Sequence, residues 1–193
     1  MQVLTEMIGV TPLVMHNVRL SDPFDPMTLA IQEITAKKGK NRTDSENMEI
    51  HHLEFLGGLY YDADVGVYVP SANILKCWQE AAKVTKQGRQ LVRAVALLSD
   101  KMRLQHSGPA KAEDLWGKPE FRHRAMVGVQ RSKVPRMRPI FRAWKLSFEL
   151  ELAQDIMNPQ DLKTIISLAG RIEGLGDGRT LGNGRFTAEV HYD

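Results

Sequence analysis

Residues 144–152, "WKLSFELEL", alternate apolar and polar side chains without a break. Trp144, Leu146, Phe148, Leu150 and Leu152 fall on one side, and Lys145, Ser147, Glu149 and Glu151 on the other. Side chains along a strand repeat every two residues, so this stretch predicts a strand buried on one face and wet on the other. The chain must then cover that apolar face, and only that face. The residues that follow supply a cover. In "NPQDLKTIISLAG", Asn158 is a helix cap, Pro159 the first helical residue and Asp161 a first-turn negative charge. Leu162, Ile165, Ile166 and Ala169 line one side of this helix, which is expected to end near Gly170. A glycine-rich stretch and a last strand, "RFTAEVHYD", complete the half.

The earlier part reads less regularly. "VLTEMIGVTPLVMHNVRL" is a long strand bent at Pro12, and Asp25 with Pro26 opens a helix. Residues 37–47 form a polar loop, a helix resumes near Glu46 and runs to Leu56, and a short hairpin turns at 62–66. An amphipathic helix over 71–86 is capped by Ser71 and stopped by Gly88, with Ile74, Cys77, Trp78, Ala81 and Ala82 on its apolar face. "LVRAVALL" predicts a buried strand, and 99–125 is irregular. "AMVGVQRSKVPRMRPIF" alternates around prolines, as a protruding hairpin or edge strand does. The pattern is that of a single α+β domain over 1–193: a split βαβ sheet with helices on one face, a helical insertion at about 21–60 and a basic hairpin at about 125–142. The open face of such a sheet is a platform for single-stranded nucleic acid.

Composition narrows the function classes. With 42% hydrophobic and 25% charged residues the chain reads as globular, and no apolar run approaches the roughly 20 residues that cross a bilayer. "MQVLTEMIGV" lacks the basic-then-apolar order of a secretory signal, so a cytoplasmic protein without a membrane partner is expected. The single cysteine, Cys77, forms no internal disulfide and no thiolate metal cluster. The net charge of +3 is modest, but its distribution is not: Lys118–Phe148 holds nine basic residues and one acid, Glu120. Arg131, Lys133, Arg136, Arg138 and Arg142 stand within it, and "AKKGKNR" at 36–42 is a second basic cluster. Such asymmetry fits a polyanion.

The stretch "GLGDGRTLGNG" at 174–184 has five glycines in eleven residues. Glycines without Cβ let backbone amides approach phosphate oxygens, and Arg179 and Arg185 add charge; the plainer reading is a tight turn. The spacing is G-x-G, five residues, G-x-G: Gly174, Leu175, Gly176, then "DGRTL", then Gly182, Asn183, Gly184. This resembles the glycine-rich loop of the RAMP superfamily, the repeat-associated proteins of CRISPR systems, in which the loop lies between the last helix and the last strand. Asn183 stands where a hydrophobic residue is common. "VYVPSANILKCWQEAA" resembles the strand-proline-lysine-helix signature of RAMP backbone subunits, through Pro70, Ser71 and Lys76, with Ser71 where glycine is common. The resemblance implies a ferredoxin-like or RNA-recognition-motif-like core and RNA binding. A small, phage-borne relative of the backbone subunit would act in the host cytoplasm.

The chemistry is weighed on the histidines. RAMP processing nucleases resemble this chain in the glycine loop and cut RNA without metal, a histidine taking the 2′-hydroxyl proton. His16 and His52 are the candidates, with Lys40 and Tyr60 as partners, but no pair has diagnostic spacing. Glu49, His52 and Glu54 lack metal-motif spacing, and the glycines follow a helix rather than open one, which excludes a dinucleotide loop. Phe141 is a stacking candidate beside Arg142, while Trp144 suits a core. The sequence thus predicts a binder of single-stranded RNA, or less readily DNA, without cofactor or metal. Its contacts would be Arg131, Lys133, Arg136, Arg138, Arg142, Lys76, Gly174, Gly176, Arg179, Gly182, Gly184 and Arg185, and it would associate with itself or with other subunits. A metal-independent endoribonuclease and a protein–protein assembly component are the alternatives.

Overall fold

The computed structural model describes residues 1–37, 39–129 and 132–192, without the side chains of Lys40, Val129 and Ser132. In chain order the elements are β1 (Gln2–Gly9), β2 (Leu13–Val14), α1 (Pro26–Thr35), α2 (Asp44–Gly58), β3 (Tyr61–Asp62), β4 (Gly66–Pro70), α3 (Ser71–Ala82), α4 (Gly88–Ala94), β5 (Val95–Leu97), β6 (Lys101–Arg103), α5 (Ala112–Trp116), β7 (Arg122–Val129), β8 (Ser132–Phe141), β9 (Lys145–Leu152), α6 (Pro159–Ile172) and β10 (Phe186–Tyr192). They divide into two compact units, one of 1–13, 62–107 and 141–193, the other of 14–61 and 108–140.

The first unit is built on a four-stranded sheet of order β10-β1-β9-β5, antiparallel throughout. Numbered by sequence these four strands run 4-1-3-2. One helical connection, α3 with α4, joins the first pair and α6 joins the last, which is the βαββαβ ferredoxin-like arrangement. The α+β class expected from the sequence is what the structure has. β9 alternates as its sequence requires, with Leu146, Phe148, Leu150 and Leu152 buried and Ser147, Glu149 and Glu151 exposed. α3 and α6 cover the apolar face: the ring of Trp78 of α3 stacks on that of Phe148 of β9, centroids 6.1 Å apart and planes inclined by 27°. Burying side chains of this size contributes roughly 1.5–3 kcal/mol each. α6 begins as read, Asn158 Oδ1 accepting the Asp161 amide at 2.8 Å. β4 and β6, paired antiparallel, belong to the same unit.

Three local readings are corrected. Pro70, not Ser71, is the N-cap of α3, and Ser71 makes no capping bond. β4 runs directly into the helix there, and the Ser71 amide donates to the Asp100 carbonyl at 2.9 Å. α3 stops at Ala82, and Lys86 takes the left-handed φ of 60° that glycine usually fills, so Gly88 opens α4 instead of closing α3. "LVRAVALL" is the end of α4 and then β5, with Leu91 and Ala94 buried at helical spacing; a short apolar run does not itself distinguish helix from strand. Within 99–125, read as irregular, lie β6 and α5.

The second unit pairs helices with a hairpin. α1 opens as read, Asp25 Oδ1 accepting the Met27 amide at 2.9 Å with Pro26 in the first position. α2 starts two residues before Glu46 because Thr43 and Glu46 form a reciprocal capping box. β7 and β8 are antiparallel over eight residues each, from Arg122↔Pro139 to Val129↔Ser132, with β2 on the other side of β8. α5 is tied to α2 through Trp116, whose ring lies 5.0 Å from His52 and 5.5 Å from Phe55.

Candidate nucleic-acid interface

Strand pairing divides the basic run between two faces. Residues opposite one another in an antiparallel ladder share a face. Arg136 opposite Ala125, and Arg138 opposite His123, therefore point one way. Arg122, Arg124 and Lys133, opposite Pro139, Met137 and Gly128, point the other. Exposure also changes along β8: Lys133 is exposed, Arg136 half-buried, and Arg138 only 8% exposed. Arg142, just past the strand, is exposed. Arg131 lies outside the described residues. The Arg122 guanidinium sits 4.8 Å from the centre of the Trp116 ring, a cation–π contact.

Arg136 and Arg138 face a cavity of about 450 Å³ lined also by His16, Glu54, Thr28, Gln32 and Val127. Glu54 is 4% exposed, and it accepts Arg136 Nη1 at 2.5 Å and the Met137 amide at 2.8 Å. The crowding of protein around the His16 ring lowers its pKa, as do Arg138 and Arg136, with Glu54 opposing them. Each of these effects except that of Glu54 favours the neutral imidazole. A second cavity shares Thr35, Glu54 and Arg136 with the first and brings in Lys37 and Arg42 of the other basic cluster. Tertiary structure thus joins two basic segments that lie nearly a hundred residues apart in sequence. Lys37 is ion-paired with Glu46.

The glycine loop is tied inward. Gly174, Gly176, Gly178, Gly182 and Gly184 all have positive φ, from 67° to 88°. At Gly184 an added Cβ would lie 1.9 Å from the Leu175 carbonyl oxygen, and at Gly174 2.6 Å from that of Asn183. Leu175 and Gly184 are joined by an amide-to-carbonyl bond of 2.9 Å, the Gly184 amide donates to Pro12 at 2.8 Å, and Thr11 Oγ1 donates to Gly182 at 2.8 Å. The Cys77 thiol donates to the Gly174 carbonyl at 3.2 Å, and burial pushes that thiol up to about 12. Among the described residues, the amides of 174, 175 and 181–185 all donate within the protein. Gly182 differs: a Cβ there meets nothing within 4 Å. Arg179 and Arg185 flank the loop half-buried, and Arg185 Nη2 reaches the Arg179 carbonyl at 3.5 Å.

Other candidates are placed as follows. Phe141 is 0% exposed, packed 4.9 Å from the His106 ring, so it offers no stacking surface and the expectation that it stacks a base is overturned. Trp144 and Phe186 are buried, the Trp144 Nε1 donating to the Thr11 carbonyl at 2.9 Å. Lys76 is paired with Glu80 at 2.7 Å one helical turn on; the ammonium groups of Lys76 and Lys83 hold that carboxyl at about 2. His52 Nε2 meets Glu113 at 2.8 Å, while His16 lies against the arginines.

The open face of the four-stranded sheet is not the aromatic platform the sequence reading assumed. Glu6, Glu149, Glu151 and Glu189 stand on it among Leu4, Ile8, Ser147 and Thr187, with Lys145 bound to Glu6 at 2.6 Å. Glu6, Glu189 and His191 converge there with ligand atoms within 4.8 Å, a grouping missed because its members lie almost two hundred residues apart. Four carboxylates repel phosphate, and among the described residues the paired positions of this face hold no Phe, Tyr or Trp ring to stack a base. Among the described residues no helix is long and apolar enough to cross a membrane.

No protein-family model and no curated protein matches this sequence. Among solved structures, the chain is similar to one in the cryo-EM structure of the Type III-B Cmr-beta bound to cognate target RNA, with a TM-score of 0.53 and 13% identity. The superposition covers 98% of this chain and 60% of that one, so this chain spans about three-fifths of that chain's length. At such identity the shared property is the fold alone, an α+β one.

Proposed function

We propose that this protein binds single-stranded RNA, without cofactor, as one subunit of a nucleoprotein assembly that includes further copies or other chains. The observation that carries the reading is fold likeness over 98% of the chain to a component of an assembly bound to target RNA. The basic surface of the second unit supports it. Lys133, Arg142 and Arg131 are the proposed backbone contacts, with Arg124 beside them. Arg136 and Arg138 act from the cavity behind the hairpin. In the glycine loop, Gly174 and Gly184 shape the backbone, and the contact role falls to Gly176, Arg179, Gly182 and Arg185. The chain, 1–193, is proposed to act as a single RAMP-like domain. Fluorescence anisotropy with labelled single-stranded RNA, single-stranded DNA and duplex RNA across a salt series tests this. Tightest binding to single-stranded RNA, with affinity falling as salt rises, is expected. Equal or absent binding to all three would sink the reading.

One observation favours a second reading, a metal-independent endoribonuclease. His16, Arg136 and Arg138 line one cavity, where burial and the two guanidiniums favour the neutral imidazole, and this combines a proton acceptor with stabilisation for phosphate charge. Cleavage of RNA in EDTA, lost in His16→Ala and kept in His52→Ala, would establish it.

A further inference from the structure

We infer that the cavity between the end of α1, α2 and β8 is a phosphate site built around Arg42. Burial of the His51 ring in its lining favours the uncharged imidazole. The other titratable groups on the lining are Lys37, Arg42, Glu54 and Arg136. Two of these three cations are already matched: Lys37 pairs with Glu46, and Arg136 donates to Glu54 at 2.5 Å. Arg42 has no carboxylate partner among the described residues, and its Nε is shut away from solvent with no hydrogen-bond acceptor. A donor of a charged group, buried with nothing to give to, is costly, and an anion on Arg42 removes that cost. Gly39 leaves the space that the guanidinium occupies: a Cβ there would lie 2.9 Å from Arg42 Nη2.

Shape and size select the anion. The Nε edge of a guanidinium presents two parallel donors, which fit a phosphate or a carboxylate. Lys37 and Arg136 bring further positive charge to the same cavity, and a tetrahedral phosphate turns oxygens in more directions than a planar carboxylate does. At about 320 Å³ the cavity stands at the low end of small-molecule sites, roughly 300–1,000 Å³, so it has room for more than a bare ion. Ile50 and Val134 add apolar wall that a sugar can cover. The site stands apart from strand binding: its phosphate can be free or can belong to an RNA backbone.

Calorimetric titration of the whole chain with inorganic phosphate, uridylyl-uridine and uridine tests it. Uridylyl-uridine carries one phosphodiester as its only charge. Both phosphates are expected to bind, with uridine weaker by roughly 10-fold or more, and Arg42→Ala should weaken both by roughly 10- to 100-fold, the loss of a charge-assisted contact. Melting separates a binding arginine from a structural one: Arg42→Ala removes an unmatched donor, so the free variant should melt at or above the temperature of the parent. Asn47→Trp, which fills the cavity from α2 and keeps its charges, should abolish binding. Competition at constant ionic strength separates the sources. Inorganic phosphate that displaces labelled oligouridine puts a backbone phosphate in the site; simultaneous binding puts a free one there. No binding of either phosphate at millimolar concentration by folded protein, unchanged binding in Arg42→Ala or in Asn47→Trp, or an Arg42→Ala protein that melts well below the parent, overturns the inference. Each of those results is obtained without an RNA strand, so strand binding is still decided by the anisotropy series alone.

Discussion

The glycine loop at 174–184 and the β7–β8 hairpin both read as ligand elements, yet the structure uses them oppositely. The loop turns its backbone inward. The amides of Leu175 and 181–183 donate to its own carbonyls and that of Gly184 to Pro12, and a Cβ at Gly184 would strike Leu175 at 1.9 Å. The hairpin turns charge outward at Lys133 and toward a cavity at Arg136 and Arg138. The lesson is that glycine density marks close approach without naming the partner. Here the partner of Gly174 and Gly184 is the same chain. Charge density is more informative, because surplus cations find few partners inside a fold.

The contrast is most easily broken at Gly184. Alanine there combines the strain of a positive φ, about 1–2 kcal/mol, with a collision against fixed backbone, so a loss of more than about 3 kcal/mol is expected. Thermal melting reads the loss. Cys77 reads it locally: its thiol is buried, held on Gly174 and pushed up to about 12, and should resist alkylation until the loop opens. A Gly184→Ala protein that melts like the parent with Cys77 still protected would show that the loop is no lock. Next in size is Glu54→Ala. It removes the buried acceptor of Arg136 and of the Met137 amide and is expected to lower stability by roughly 2–3 kcal/mol, measured by denaturant titration.

Smaller effects sharpen the functional half. Lys133→Ala with Arg142→Ala should leave stability within about 0.5 kcal/mol and lower the salt slope of RNA binding by about 0.7 per contact. An unchanged slope would remove both from the interface. Gly182→Ala meets open space but must hold a φ of 88°, a strain of about 1–2 kcal/mol. A fall in RNA affinity beyond that expected from the folded fraction would assign the outer loop to the ligand. The smallest effect concerns pH. Burial, Arg138 and Arg136 hold His16 below its ordinary value of 6.5, with Glu54 opposing. The unfolded chain therefore binds this proton more readily. The associated stability is present above pH 6.5 and is lost as pH falls through the lower folded value. An NMR titration of the His16 ring with a midpoint at or above 6.5 would contradict the placement.

Much of the scaffold was legible because its signals are local. The two-residue alternation of β9, the Asn158-Pro159-Asp161 start of α6 and the Asp25-Pro26 start of α1 each require only neighbouring residues. Local ambiguity explains the misses: Leu91 and Ala94 suit a helix or a strand equally, and Lys86 takes a backbone conformation that nothing in a lysine announces.

For the candidate site, the sequence by itself determined which residue types were available: nine basic residues against one acid in 118–148, and five glycines in eleven residues. Only the tertiary structure decided where they point. Strand register sent Arg136 and Arg138 to one face and Lys133 to the other, and α2 delivered Glu54 against the first pair. Folding also set Glu6 opposite Glu189 across β1 and β10, making the open sheet face acidic. Composition is additive along a chain, whereas a surface is assembled from segments far apart in it. The sign of each face therefore emerges only when the strands pair.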